Sequence, residues 1–444
     1  MADNFTLSPE EAAQIAANVY FTLEGWEATY QFKLMYGNDA KGAPKPVAGM
    51  ANSKIINKNV VGSGPQSLKK IGLTNGKIVN SFTGSTGSNF SRTKSGFGYV
   101  LQFERENKKH IVIATRGTRP EMGYPDLLTD ANISAKRNFP GVGPIHAGFY
   151  DVYKSILPVL SDIQSIVQAA DVVHCVGHSL GGAVANLVAL HFAQLGSNIR
   201  LYTFGAPRVG FRVALYDAVI NGYVGEENIY RVSHNFDPIP MIPVAPYIHA
   251  LPSIRDNNNI FIGSPVSSIS LDNHDTNNYI NSVRGKNWNV LRTNKLKQGY
   301  LDKQYFTSWR SSDSWLKQYI GNSVNTRMSI LQRVLQGLID TLGIGFTEVA
   351  TIFDLLVIAI RNGYDSFVVA KSFVIKFITD CANLFGMAVD LSIDVLTKLY
   401  RKLMAELAIA AKLALAKAAK VAKSTEFRFV LKTATHGSIG LLLL

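Results

Sequence analysis

The chain has 444 residues, with 45 Lys and Arg against 32 Asp and Glu, a net charge of +13 and 47% hydrophobic residues. That apolar content excludes general disorder, and the length accommodates two units. The two cysteines, Cys175 and Cys381, each stand in an apolar stretch; they are too few for a disulfide scaffold or a thiolate metal site and read as reduced, buried thiols.

The N-terminus carries Asp3, Glu10 and Glu11 and no leading basic residue, so it does not resemble a secretory leader. It reads as a capped helix, with Ser8 as N-cap, Pro9 as the first helical residue and Glu11 closing a capping box. On this reading the protein is cytoplasmic or exported by a signal-independent route. Residues 36–96, rich in Gly, Ser, Asn and Lys, are expected to form loops and edge structure. From about Phe97 to Tyr279 the runs YVLQF, HIVIAT, VVHCV, IRLYTF and NIYRVSH alternate with helical patterns near Tyr150 to Ala170 and after Gly182. Such alternation predicts an α/β fold with a mostly parallel sheet flanked by helices.

Val172 to Ile199 contains no Asp, Glu, Lys or Arg and is long enough to span a bilayer. The interruption at Gly177 to Gly182 divides a β-branched run from an alanine and leucine run, which favours strand, sharp turn and helix. Near Ser323 the composition changes. From Met328 to Lys423 there is no proline and apolar residues recur at helical spacing, which predicts an all-α C-terminal appendage. The expected division is a catalytic domain at 1–322, with its core at 96–282, and a helical domain at 323–444. Asp340, Glu348, Asp354, Arg361, Lys371, Lys376 and Asp390 interrupt the helical stretch too often for a simple membrane span. Within it, Leu396 to Lys423 is expected to form an amphipathic helix that helps hold the protein on an anionic membrane surface. Lys398, Arg401, Lys402, Lys412, Lys417, Lys420 and Lys423 gather on one face, opposite Tyr400, Met404, Leu407 and Leu415. Leu399, Glu406, Ile409 and Leu413 also fall within the basic arc, so a packed bundle helix with a solvated basic face is the alternative.

The chemistry centres on G-H-S-L-G-G at Gly177 to Gly182, a G-x-S-x-G between a predicted strand and a predicted helix. In that context the pentapeptide reads as a nucleophile elbow, which would hold the Ser179 hydroxyl out of the sheet on a strained turn. A serine hydroxyl needs an imidazole to take its proton and a carboxylate to orient that imidazole. Asp237, after NIYRVSHN and before P-I-P, is the first carboxylate beyond Ser179 placed at a strand end. His249, His274 and His436 are the histidines that follow it, and His436 lies beyond the helical appendage, leaving His249 and His274 as candidate bases. No histidine spacing suggests a zinc site, and no glycine loop is built to cradle phosphate, so neither a metal, a cofactor nor a nucleic-acid partner is expected.

Taken together, HIVIATRGT (His110 to Thr118), DLLTD (Asp126 to Asp130), IHAGFYDVY (Ile145 to Tyr153), the elbow, LYTFGAPRVG (Leu201 to Gly210), RVSHNFDPIP (Arg231 to Pro240) and LDNHDTNNYI (Leu271 to Ile280) resemble the class 3 lipases. The resemblance covers roughly Gly96 to Ser282. It implies an α/β-hydrolase fold with Ser179 as nucleophile, Asp237 as orienting acid and His274, in D-N-H-x-x-x-x-Y, as general base. His249, in Y-I-H-A-L, matches a second family histidine near the site that is not the base. The implied oxyanion hole is the backbone N–H of Leu180 and that of Thr118, whose hydroxyl is a further donor. The segment from Arg119 to Ser134 is where the family carries its lid, with Leu127 and Leu128 as its apolar residues; an ordinary surface helix is the alternative. The chain departs from the family pattern at Phe211, where a polar residue is frequent, and at Leu251, where glycine is common. The implied activity is hydrolysis of lipid carboxyl esters at a membrane or droplet surface, and the excess of basic residues favours anionic headgroups, hence phospholipid. Rival readings are a membrane-disrupting or scaffold protein on a lipase fold and a delivered lipase toxin or effector.

Overall fold

The computed structural model describes residues 5–26, 56–118 with short gaps, 136–211, 222–249 with short gaps, 259–266 and 271–293, and isolated positions beyond them. Helix α1 (Pro9–Asn18) opens the fold. Its capping box forms as expected: Glu11 N donates to Ser8 Oγ and Ser8 N donates to the Glu11 carboxylate. Such a cap stabilises a helix start by about 1 kcal/mol. The next strands are β1 (Lys77–Thr86), β2 (Thr93–Arg105) and β3 (Lys108–Thr115), paired antiparallel. The stretch expected to be loops and edge structure therefore supplies the outermost strand, β1, and part of β2.

Two short strands, β4 (Lys136–Phe139) and β5 (Gly143–His146), lead into helix α2 (Ala147–Asp162). Then come β6 (Val172–His178), helix α3 (Leu180–Gln194), β7 (Ile199–Phe204), β8 (Gly210–Phe211), β9 (Ile229–His234), β10 (Tyr247–Ile248) and β11 (Asn259–Ile262). Helices α4 (Thr276–Val283) and α5 (Trp288–Thr293) follow. The main sheet has the order β1-β2-β3-β6-β7-β9-β11, and β3, β6, β7, β9 and β11 run parallel. Helices on both faces of a mostly parallel sheet make this an α/β fold, as expected from the alternation in the sequence. A separate small sheet has the order β10-β8-β5-β4.

The charge-free stretch from Val172 to Ile199 resolves into β6, a turn and α3, and among the described residues no helix is long and apolar enough to cross a membrane. Nearly every residue of α3 is buried, which explains a sequence apolar on all sides. One face of the sheet packs α2 and α3 through Val173, Cys175, Ile113, Leu187 and Phe149; the other packs α1, α4 and α5 through Val112, Val176, Tyr202, Ile15 and Tyr279. Burial pushes the Cys175 thiol well above its ordinary range, as expected for an inert core cysteine. The assignments made for Cys381, His436, Leu251, the segment from Arg119 to Ser134 and the helix from Leu396 to Lys423 fall outside the described residues, as does most of 323–444.

Candidate active site

The parallel strands β6, β7 and β9 end side by side, and their C-terminal ends carry the polar residues singled out in the sequence. Ser179 stands between β6 and α3 at φ 58° and ψ −134°, one of three non-glycine residues with positive φ among the described residues. This left-handed backbone costs an L-residue of order 1–3 kcal/mol and is retained where the surroundings over-determine it. Here Ser179 N donates to Phe204 O on one side, and its carbonyl accepts from Ala183 N on the other. The Ser179 side chain makes no capping bond to α3 and is buried. The turn can seat so close to β3 because residue 181 is glycine: a Cβ there would stand 2.7 Å from the Thr115 carbonyl carbon, and Thr115 Oγ1 donates to Gly181 O at 2.8 Å.

Asp237 and His274 meet next to this turn. His274 Nδ1 lies 2.7 Å from Asp237 Oδ2, and both side chains are buried. A carboxylate only accepts, so Nδ1–H donates and the lone pair of the neutral ring is on Nε2. Asp237 is held by further donors: Tyr279 donates its hydroxyl to Oδ2 at 2.7 Å, and Ile239 N donates to Oδ1 at 2.9 Å. Position 205 must be glycine for this pair to fit, since its φ is 57° and a Cβ would lie 2.7 Å from Asp237 Oδ2 and 2.9 Å from His274 Nδ1. His274 immediately precedes Asp275, the N-cap of α4, whose carboxylate accepts from Asn277 N and Asn278 N.

Two further histidines brace the pair. His178 Nε2 lies 2.8 Å from the His274 carbonyl, which can only accept, so Nε2–H donates and Nδ1 accepts from the Tyr20 hydroxyl at 2.9 Å. By the same reasoning His234 Nδ1–H donates to Asn273 O at 2.6 Å, and Nε2 accepts from Ser282 Oγ. Burial, with the neighbouring His274 adding to it, holds the His178 pKa well below the usual imidazole range; burial likewise lowers that of His234. The His178 ring sits 4.4 Å from that of His274, and the Tyr279 ring stacks 4.1 Å from His234.

The structure thus pairs Asp237 with His274 beside His178, the neighbour of Ser179, and engages His249 differently. Its Nε2–H donates to the Pro240 carbonyl at 2.9 Å, and burial together with Arg231 and Arg208 lowers its pKa. Leu180 opens α3, where the first backbone N–H groups have no partner inside the helix. Thr118 follows Gly117, at which a Cβ would stand 2.7 Å from Ser179 Cβ. Both residues expected to form the oxyanion hole therefore border the nucleophile turn. The Ser179 hydroxyl makes no hydrogen bond among the described residues. Phe211, the expected departure from the family pattern, stands in the small sheet, with the Lys136 ammonium 3.9 Å over its ring. Sequence reasoning missed Tyr279, His178 and Tyr20. Tyr279 was the signalled residue, as the closing letter of D-N-H-x-x-x-x-Y, whereas Tyr20 lies 158 positions from its partner. Among the described residues no group of three or more His, Cys, Asp or Glu is arranged to hold a metal ion.

Residues 112–247 match the family model described as Lipase (class 3), a stretch that includes Ser179 and Asp237 but not His274. The chain is 32% identical over 170 residues to secreted mono- and diacylglycerol lipase 1 of Fusarium solani, covering 36% of this chain and 47% of that protein. It is 33% identical over 128 residues to the toxin TseL of Vibrio cholerae, covering 27% and 18% respectively. The matched regions thus span less than half the length of these relatives. A solved structure, the mono- and diacylglycerol lipase of Aspergillus oryzae, aligns over 59% of this chain and 81% of that one at 21% identity, with a TM-score of 0.38.

Proposed function

We propose, from the match of residues 112–247 to the class 3 lipase family model, that the chain is a serine hydrolase cleaving carboxyl esters of lipids through an acyl-enzyme intermediate. The observations that support the proposal are the strained turn carrying Ser179 and the His274–Asp237 pair, hydrogen-bonded at 2.7 Å, at the neighbouring strand ends. Ser179 Oγ attacks the ester carbonyl carbon while His274 Nε2 takes its proton. The oxyanion that forms is held by the Leu180 and Thr118 N–H groups, and Asp237 stabilises the imidazolium. Collapse expels the alcohol, which takes the proton from His274; water then repeats the sequence and releases the fatty acid. The Ser179–His274 hydrogen bond forms with substrate in place, as is common where an apo site leaves it loose.

Ser179→Ala tests this directly: hydrolysis of a short-chain nitrophenyl ester should fall by about 10⁴-fold or more, with the melting temperature essentially kept. A purified variant that retained a tenth of wild-type turnover would refute the assignment.

The substrate side of the proposal is a lipid ester at a membrane or droplet surface. The net charge of +13 favours anionic headgroups, whereas the similarity to mono- and diacylglycerol lipases favours partial glycerides. Mass spectrometry of products from vesicles mixing phospholipid and neutral lipid discriminates the two. A second reading, a toxin that acts through the same hydrolysis, is favoured by the similarity to TseL. It requires that growth arrest on expression in a bacterial host be abolished by Ser179→Ala.

A further inference from the structure

The segment that ends in Thr118 contains a fully buried cation with no place in the mechanism above. Arg116 has no exposed surface. Its Nε donates to Gly96 O and its Nη2 to Ser95 Oγ at 2.6 Å, both on β2, while Nη1 donates to Gly117 O at 2.6 Å. Its own backbone N–H donates to Phe97 O, and the guanidinium lies 5.7 Å from the Phe97 ring centroid. Burying a guanidinium is costly unless its donors are met, and these contacts engage each of its three nitrogens on two different pieces of chain.

The contact with Gly117 O is the informative one. The Gly117 carbonyl and the Thr118 N–H belong to one peptide unit, which is planar and trans, so the two groups point in opposite directions. Fixing the carbonyl on a guanidinium anchored to β2 therefore fixes where the Thr118 N–H points. The unit cannot simply shift instead, because Gly117 is already against the nucleophile turn: a Cβ on it would stand 2.7 Å from Ser179 Cβ and 2.9 Å from the His178 carbonyl. On the far side, Thr115 Oγ1 ties the same segment to Gly181 O at the start of α3.

Resting on the serine-hydrolase reading, we infer that Arg116 is a positioning residue for catalysis, which orients the Thr118 N–H toward the oxyanion through the Gly117 carbonyl. Three separate donors in a planar fork are needed to hold two strand groups and one loop carbonyl, and a lysine at this position offers a single nitrogen.

The test compares the full-length wild type with Arg116→Lys and Ser95→Ala, using a short-chain nitrophenyl ester as substrate and an alkylboronic acid as inhibitor. The boronate accepts Ser179 Oγ to form a tetrahedral adduct whose oxygen occupies the oxyanion hole, so its affinity reports that hole and not general folding. Arg116→Lys should lower kcat by about 10- to 100-fold, keep KM within about threefold and weaken the boronate in proportion to kcat. Ser95→Ala, which removes one anchor of the fork, should move both readouts by about two- to fivefold. If Arg116→Lys does not fold, Ser95→Ala decides alone: parallel losses support the inference and unchanged values overturn it. A folded Arg116→Lys with unchanged kcat overturns it, as does a loss of kcat with undiminished boronate affinity. A wild type without ester turnover sinks the serine-hydrolase reading and this inference with it, whereas an active wild type with unaffected variants sinks this inference alone.

Discussion

The two ends of the central strands both bury histidines, and they do so differently. Near the start of β3 and β6, His110 Nδ1 lies 2.9 Å from His174 Nε2; the rings are parallel within 3°, and Phe103 stacks on His110 at 4.6 Å. Among the described residues the other nitrogens, His110 Nε2 and His174 Nδ1, have no hydrogen-bond partner. At the opposite end of β6, His178, His274 and His234 each bond a backbone carbonyl, a carboxylate or a hydroxyl. Burial lowers the pKa of His174 and of His178 alike, so burial does not distinguish the two ends. What distinguishes them is direction: at the C-terminal end every tautomer is set by an acceptor, while the pair at the start of the strands is satisfied only by itself. A buried histidine cluster is a site when its protons have assigned places.

The largest effect expected from breaking this comparison is at the upper end. His274→Ala should lose about as much turnover as Ser179→Ala, and the double variant little more than either, because the members of a triad act as a unit. His249→Ala, whose ring is engaged with the Pro240 carbonyl, should cost far less. Steady-state kinetics on the four variants checks the ranking, and an essential His249 with a dispensable His274 would mean the base is on the other loop.

An intermediate effect belongs to Tyr279. Tyr279→Phe removes one of three donors to Asp237 and keeps the ring stacked on His234, so kcat should fall by about 5- to 20-fold with little change in KM. A drop as large as that for His274→Ala would make Tyr279 a participant in proton transfer.

The smallest effect on activity, and the sharpest contrast, comes from the lower pair. Burial, helped by Arg105, lowers the His110 pKa to about 4 from 6.5, and burial with His110 and Arg200 beside it lowers that of His174. Both are neutral in the fold, so the unfolded chain takes up protons first. The stability they permit is complete above about pH 6.5 and falls as pH drops toward about 4, with a limiting slope of about 1.4 kcal/mol per pH unit for each site. Urea unfolding from pH 7.5 to 4 should show this loss. His110→Phe should flatten it, lower stability at pH 7.5 by about 1–2 kcal/mol because His174 loses its partner, and leave kcat unchanged. An unaltered slope would shift the acid response to the upper histidines.

The Ser179 turn was legible in sequence because its signal is local: a β-branched run, three glycines around Ser179, then an alanine and leucine run are contiguous. The Asp237–His274 pairing was narrowed by order along the chain but chosen over His249 through family resemblance, since their 37-residue separation carries no periodic signal. The small sheet went unread because its strands are two to four residues long, too short for alternation to show. Strand β1, KIVNSFTGST, looks like a loop by composition because an edge strand tolerates Gly, Ser and Asn. Arg116 was invisible as a positioning residue because its meaning lies in contacts to residues 95 and 96 on another strand.

The most direct test of the central claim is covalent labelling of the full-length protein with an alkyl fluorophosphonate, followed by intact-mass and peptide mass spectrometry. One phosphonyl group per chain is expected, on Ser179, with ester hydrolysis lost in step with labelling and no label on His274→Ala over the same period. Label on another residue, or undiminished hydrolysis in a fully labelled protein, would contradict it.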